Sequence, residues 1–134
     1  MFSGRKTLGI HATAIGNNCV AAGNLLANDT VPESMIDAFA SSADLHLGDR
    51  LIGALRAGLQ AGGEAGPVRS ASMIVAHEVS WPVVDLRVDW ADAPIAELDS
   101  LWQLWSPQLD AYALRALDPD GAPAFGAETN EDER

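Results

Sequence analysis

The clearest pattern in the chain is an alternation of apolar and charged residues over residues 83–90. The even positions are all apolar, whereas three odd positions are charged: Asp85, Arg87 and Asp89. This period of two predicts a half-buried strand, because successive side chains point to opposite faces of a sheet. The preceding segment, 71–76, is apolar at every position from Met73 onward, which favours a more central strand. A loop over 77–82 joins the two segments, so the sequence predicts a hairpin here.

A second pair of strands is predicted near the N-terminus, over residues 7–14 and 19–26. Gly16, Asn17 and Asn18 lie between them, and glycine and asparagine accept the positive φ of tight turns. Both segments are rich in alanine and glycine. Their small side chains permit close approach of another layer.

Two helices are predicted between the strand pairs, over residues 31–41 and 47–61. Thr30 and Glu33 have the spacing of a capping box at the start of the first helix, and Pro32 suits its first turn. The second helix has a leucine at every fourth position: Leu47, Leu51, Leu55 and Leu59. This spacing places the four side chains on one face.

Glycines mark the second helix both inside and at its end. Gly48, Gly53 and Gly58 each cost about 1 kcal/mol of helix propensity relative to alanine, so tightly packed neighbours are expected beside them. Gly62 and Gly63 are predicted to end the helix as a C-cap.

A third helix is predicted from Pro94, with an apolar stripe that runs from Ile95 to Ala116. Pro107 removes a backbone hydrogen bond at its centre, so we expect a kink or a restart with Ser106 as N-cap. The turn sequence DPDG follows at 118–121.

The predicted order is strand, strand, helix, helix, strand, strand, helix. Strands that are adjacent in sequence pair most readily as antiparallel hairpins. The sequence therefore predicts an α+β fold in which helices pack on antiparallel sheets. Residues 1–121 are expected to form one domain, and the acidic residues 122–134 a disordered tail.

Composition excludes several classes of function. The net charge of −11 argues against nucleic acid or an anionic membrane as partner. No apolar run is long enough for a membrane span, and no signal peptide is recognised, so a cytoplasmic location is predicted. The single cysteine, Cys19, excludes an internal disulfide. The three histidines lack the spacing of metal ligands, and neither a metal nor a cofactor is predicted.

The charged row of the second hairpin is one candidate site. Asp85, Arg87 and Asp89 stand on one face of a predicted strand, about 6.5–7 Å apart by strand rise. Arg87 could clamp an anion between its flanking carboxylates. A solvated face or a structural ladder explains the same pattern and is the favoured interpretation.

Three further residues are candidate ligand-binding groups. Asn24, at the end of a predicted strand, could donate a hydrogen bond to a developing oxyanion, or could simply cap the strand end. Arg69 and Ser70, at the entrance to the next predicted strand, could bind a carboxylate, or Arg69 could pair with an acidic neighbour. The structural alternative is favoured in each case.

Five short strings give the chain its resemblance to a known family: FSG at 2–4, GIH at 9–11, VAAGNLLA at 20–27, RSA at 69–71 and DLRVD at 85–89. Together they resemble the later half of a bacterial family catalogued as domain of unknown function 1028, over about residues 2–117. The resemblance implies a fold similar to the N-terminal-nucleophile hydrolases, with two antiparallel sheets between helix layers. Trp90 departs from the family, which usually has an acidic residue there.

The same resemblance implies a particular catalytic chemistry. In such hydrolases the nucleophile is the first residue of the mature chain, and its own amine acts as base. This chain opens with Met1, Phe2 and Ser3, which match the interior of the family domain, so the segment with the nucleophile is expected to be absent. The first functional hypothesis is therefore an amide or peptide hydrolase that is inactive by itself.

The second hypothesis is a non-catalytic module that oligomerises or binds a small ligand. A sheet without the rest of its sandwich would expose an apolar face and open strand edges, which favour association. A homo-oligomer is expected, with a small amide or peptide as the possible ligand.

Overall fold

Two antiparallel hairpins and a set of helices make up the computed structural model, which describes Gly4 and residues 6–124. The predicted α+β fold and its order are confirmed, with the third helix divided in two. The elements are β1 (Ile10–Gly16), β2 (Cys19–Leu26), α1 (Val31–Ala40), α2 (Leu47–Gln60), β3 (Ala71–Ala76), β4 (Pro82–Val88), α3 (Pro94–Trp105), a 3₁₀ turn (Ser106–Gln108) and α4 (Leu109–Leu117). The predicted tail lies outside the described residues from residue 125 onward.

The first strand is shifted along the chain relative to the prediction, whereas the second strand has the predicted bounds. Strand β1 begins at Ile10 and extends to Gly16, which pairs with Cys19. The turn therefore consists of Asn17 and Asn18 alone, and Asn18 has a φ of 57°. Asparagine tolerates this left-handed conformation better than most residues, so the turn residues rather than the strand composition determine the register.

The predicted capping box at α1 is wrong. Thr30 occupies the N-cap position, but its side chain makes no capping hydrogen bond. Its hydroxyl instead donates to Oδ1 of Asn28 at 2.6 Å, and its backbone N–H donates to the same oxygen at 3.0 Å. The Asn28 amide also donates to the carbonyl of Ala61 at 2.7 Å. Asn28 thereby joins the start of α1 to the end of α2.

The glycines of α2 have the close neighbours expected of them at two of three positions. A Cβ at Gly48 would lie 2.5 Å from the indole of Trp102, and one at Gly58 would lie 2.9 Å from Met35. Nothing lies within 4 Å at Gly53, so packing does not explain that glycine. The predicted end of the helix is confirmed, because the N–H of Gly63 donates back to the carbonyl of Gly58 at 2.9 Å.

The break in the third helix occurs at Pro107, as expected. Ser106 is not the N-cap, however, because it continues from α3 into the 3₁₀ turn. Gln108 precedes α4 and provides no side-chain cap. Proline lacks the N–H that a continuous helix would use there, so the chain tightens for one turn and then resumes.

The principal core lies between the second hairpin and helices α2 and α3. Its fully buried side chains are Ile52, Val84, Leu98 and Trp102, and Met73 and Val75 join them from β3. The indole N–H of Trp102 donates to the carboxylate of Asp49 at 2.7 Å, which satisfies its one polar group. Helix α1 covers one face of the first hairpin and packs against α2.

Two expectations about the second hairpin are corrected. Strand β4 ends at Val88, so Trp90 leaves the inward-facing row and is 77% exposed. Within the described residues β3 pairs with β4 alone and is not a central strand. Ile74 therefore points outward and is 61% exposed, although its neighbours Met73 and Val75 are buried. No helix in the described part of the chain is both long and apolar enough to cross a membrane.

Candidate functional site

The six predicted site residues fall at three places. Asn24 and Ser70 line one cleft, Arg69 lines a neighbouring cleft, and the charged row of β4 lies on an outer face away from both. The two clefts share the side chains of Leu59, Val68 and Ile95, which form the wall between them.

The first cleft, called here the Asn24 cleft, lies where the end of β2 meets α1, α2 and the segment that leads into β3. Its volume is about 280 Å³. Asn24 and Ser70 are exposed at its rim. Gly58 of α2 and Gly63, which follows that helix, also line it. An amide and a hydroxyl from distant parts of the sequence thus face a common, mainly apolar space.

The backbone beside Asn24 adopts an unusual conformation. Leu25 has a φ of 53°, in the left-handed region that costs roughly 1–2 kcal/mol for a residue other than glycine. Its N–H donates to the carbonyl of Leu8 at 3.1 Å, and its carbonyl accepts from the N–H of Ala65 at 2.7 Å. These two bonds hold the conformation of Leu25 and so fix the position of its neighbour Asn24 near the end of β2. The residues around Leu25 are ordinary strand residues, so the sequence gives no sign of this left-handed conformation.

The second cleft, called here the Arg69 cleft, lies between α2, the segment before β3 and the first turn of α3. Its volume is about 520 Å³. Arg69 forms an ion pair with Asp92, and its guanidinium lies 5.6 Å from the ring centre of Trp90. The alternative in which Arg69 pairs with an acidic neighbour is therefore observed, and the same guanidinium lines the cleft.

Sequence reasoning missed Arg56 and the role of Asp92 at this cleft. Arg56 projects from α2, lines the Arg69 cleft and forms an ion pair with Asp99 of α3. Nothing in the sequence relates Arg56 to Arg69, because they line one cleft only where α2 packs beside the segment before β3. Asp92 precedes the third predicted helix, and nothing in the sequence relates it to Arg69.

The charged row of β4 is exposed on the outer face of the second hairpin. The Arg87 Nε lies 2.8 Å from a carboxylate oxygen of Asp89, and these side chains are 70% and 76% exposed. Asp85 is also exposed and lies opposite Ile74 in the strand register. The row is a solvated face of the strand, and no cleft described above includes it.

His46 has structural contacts rather than a place in either cleft. His46 accepts a hydrogen bond from the N–H of Gly48 at 3.0 Å and stacks on Trp102 with ring centres 5.0 Å apart. It therefore caps α2 and covers the core. Across the described residues, no group of three or more His, Cys, Asp or Glu side chains is arranged to hold a metal ion.

The chain belongs to the family of unknown function DUF1028, whose model matches residues 1–98. It is also similar to a crystal structure of a DUF1028 protein from Silicibacter pomeroyi, with 35% sequence identity and a TM-score of 0.67. That match covers 77% of this chain and 45% of the other, so the chain spans less than half the length of that relative. No curated protein matches it.

Proposed function

We propose that this chain supplies the amide-binding part of a hydrolase of the N-terminal-nucleophile type, and that it does not cleave amides by itself. Membership of the family supports the proposal, since the resemblance implies that class of fold and a nucleophile outside the matching segment. The cytoplasmic location predicted from the sequence belongs to the same proposal.

The observation that carries it is the convergence of Asn24 and Ser70 on one cleft of about 280 Å³. The Asn24 amide can donate to the carbonyl oxygen of a bound amide, and the Ser70 hydroxyl can accept from its N–H. The apolar wall formed by Leu59, Val68 and Ile95 suits a small side chain. The left-handed Leu25 keeps the Asn24 backbone in one position, which reduces the ordering that binding requires.

The proposal is tested by the binding of N-acetyl amino acid amides, measured by calorimetry or by shifts of the backbone amide NMR signals. The Asn24→Asp variant replaces a donor by an acceptor at nearly constant size, and we expect it to weaken binding about tenfold or more. Asn17→Asp, in the turn of the first hairpin, is the matched control and should bind like the parent chain. Equal affinity in the Asn24 variant would contradict the amide-binding role. Hydrolysis by the unmodified chain alone would contradict its proposed inactivity.

A second candidate function is a non-catalytic module that assembles with copies of itself. The outer face of the first hairpin favours this function, because its side chains are exposed and uncharged. They include Thr13, Ile15, Val20 and Ala22. Ile15 is 77% exposed and lies opposite Val20 in the register. An apolar pair of this kind on an open hairpin favours association.

Light scattering coupled to gel filtration tests this candidate. We expect at least twice the chain mass of 14.1 kDa, and we expect Ile15→Glu to shift the protein toward the monomer. Ile74→Glu, on the outer face of the other hairpin, is the control. A folded parent chain that elutes as a monomer would refute self-association.

A further inference from the structure

We propose that the Arg69 cleft binds a small monocarboxylate with an apolar group, through the guanidinium groups of Arg56 and Arg69. This cleft lies on the other side of the Leu59, Val68 and Ile95 wall from the Asn24 cleft. The inference therefore stands apart from the amide-binding proposal and has its own test.

The charge of the cleft is the first argument. The chain has 8 basic residues against 19 acidic ones, yet two of its arginines line this single cleft from different elements. Asp92 is the one acidic residue among the lining residues, and Asp99 pairs with Arg56 from outside the lining, so two carboxylates already balance the two arginines. A monoanion adds one negative charge to this neutral set, whereas a phosphate dianion adds two beside Asp92 and Asp99.

The second argument is that both arginines are held in place. Arg56 is anchored by Asp99 and Arg69 by Asp92, through one contact each. A guanidinium has five N–H donors in a planar fork that matches a carboxylate. One carboxylate contact thus orients each side chain and leaves donors for a ligand. The Trp90 ring further restricts Arg69.

The first turn of α3 adds favourable polarity at the same place. Ile95 and Ala96 line the cleft, and as residues of the first turn their N–H groups have no acceptor within the helix. The N-cap residue, Ala93, has no side chain that could cap them. The positive end of the helix dipole therefore supports the anion that the two arginines bind.

The walls and the volume indicate the rest of the ligand. Most lining residues are apolar, including Leu59, Pro67, Val68 and Pro94. A volume of about 520 Å³ falls within the range of roughly 300–1,000 Å³ that is usual for small-molecule sites. A purely polar anion would leave these walls in water, so a ligand with an aryl or alkyl group fits better.

The proposal is tested on the full chain by calorimetry and ¹⁵N-edited NMR. The ligands are 4-phenylbutyrate, hexanoate and cyclohexanecarboxylate. We expect saturable binding of at least one, with the largest amide shifts at Ile95 and Ala96. The neutral analogue 4-phenylbutan-1-ol should bind at least about tenfold more weakly than 4-phenylbutyrate, since it lacks the charge-assisted hydrogen bonds. Failure of all three carboxylates to bind would overturn the proposal, as would tighter binding of inorganic phosphate.

Three variants locate the site. Arg56→Gln and Arg69→Gln should each weaken carboxylate binding about tenfold. Gln60→Glu adds a negative charge to the lining without changing side-chain size, and should also weaken it. Arg87→Gln is the control, because Arg87 is likewise paired with one aspartate but lies outside the cleft. Unchanged affinity in the three cleft variants, or an equal loss in the control, would overturn the assignment.

Discussion

At the scale of single residues, the glycines of α2 show how packing decides what composition leaves open. Gly48 and Gly53 lie five positions apart in one helix and have the same intrinsic cost there. Gly48 faces the indole of Trp102, and Gly53 faces open space. The sequence predicted close neighbours for both glycines. Only the position of α3 distinguishes the closely packed Gly48 from Gly53.

This difference gives the first prediction. Gly48→Ala should lower the free energy of unfolding by roughly 1–3 kcal/mol, because a Cβ 2.5 Å from the buried indole forces the core to move. Gly53→Ala should raise it by about 0.5–1 kcal/mol, because alanine favours the helix and meets no neighbour. Urea denaturation of the two variants measures both changes. Stabilisation by Gly48→Ala would show that the contact with Trp102 is not tight.

Two tryptophans give the second prediction. Trp102 is 1% exposed and donates to Asp49, whereas Trp90 is 77% exposed. Trp102→Phe should cost about 2–3 kcal/mol, because it removes buried volume and leaves a carboxylate without its donor. Trp90→Phe should change stability by less than about 0.5 kcal/mol. Thermal unfolding measures both, and equal effects would contradict the placement of Trp102 in the core.

At the scale of elements, β4 shows a strand whose two faces have different roles. The period of two in residues 83–90 correctly predicted a strand, with Val84 and Val88 buried. It did not predict the end of the strand before Trp90, because the bounds of a strand depend on its partner. For the charged row the sequence left open an anion clamp and favoured a solvated face or a structural ladder, and the structure places the row in solvent.

The two faces of β4 give the third prediction. Arg87→Ala should change the free energy of unfolding by less than about 0.5 kcal/mol, because an ion pair this exposed is screened by water. Val84→Ala in the same strand should cost about 2 kcal/mol or more, because Val84 is fully buried. Denaturant midpoints in low salt measure both. A large loss for Arg87→Ala would mean that the row has a partner in solution.

At the scale of the whole molecule, the excess of acidic residues acts against the compact state. The net charge is −11, and the three ion pairs among the described residues have at least one partly or fully exposed member. Added salt therefore weakens few stabilising ion pairs, whereas it screens the repulsion among the excess acidic side chains. Raising NaCl from about 20 to about 300 mM should increase the Tm by roughly 3–5 °C, as expected for about 1 kcal/mol. Differential scanning calorimetry measures this shift, and a lower Tm in salt would contradict net repulsion.

The sequence by itself determined which segments form strands and helices, the α+β class and the family. Those features depend on periodicity, turn residues and short strings, all of which are local. The tertiary structure decided which candidate residues share a cleft. Asn24 and Ser70 line one cleft, and Arg56 and Arg69 line the other. Both arrangements depend on how α2 and α3 pack beside the segment before β3. Such contacts join residues far apart in sequence, and no local pattern encodes them. The left-handed Leu25 has the same origin, because its conformation is held by backbone bonds to Leu8 and Ala65.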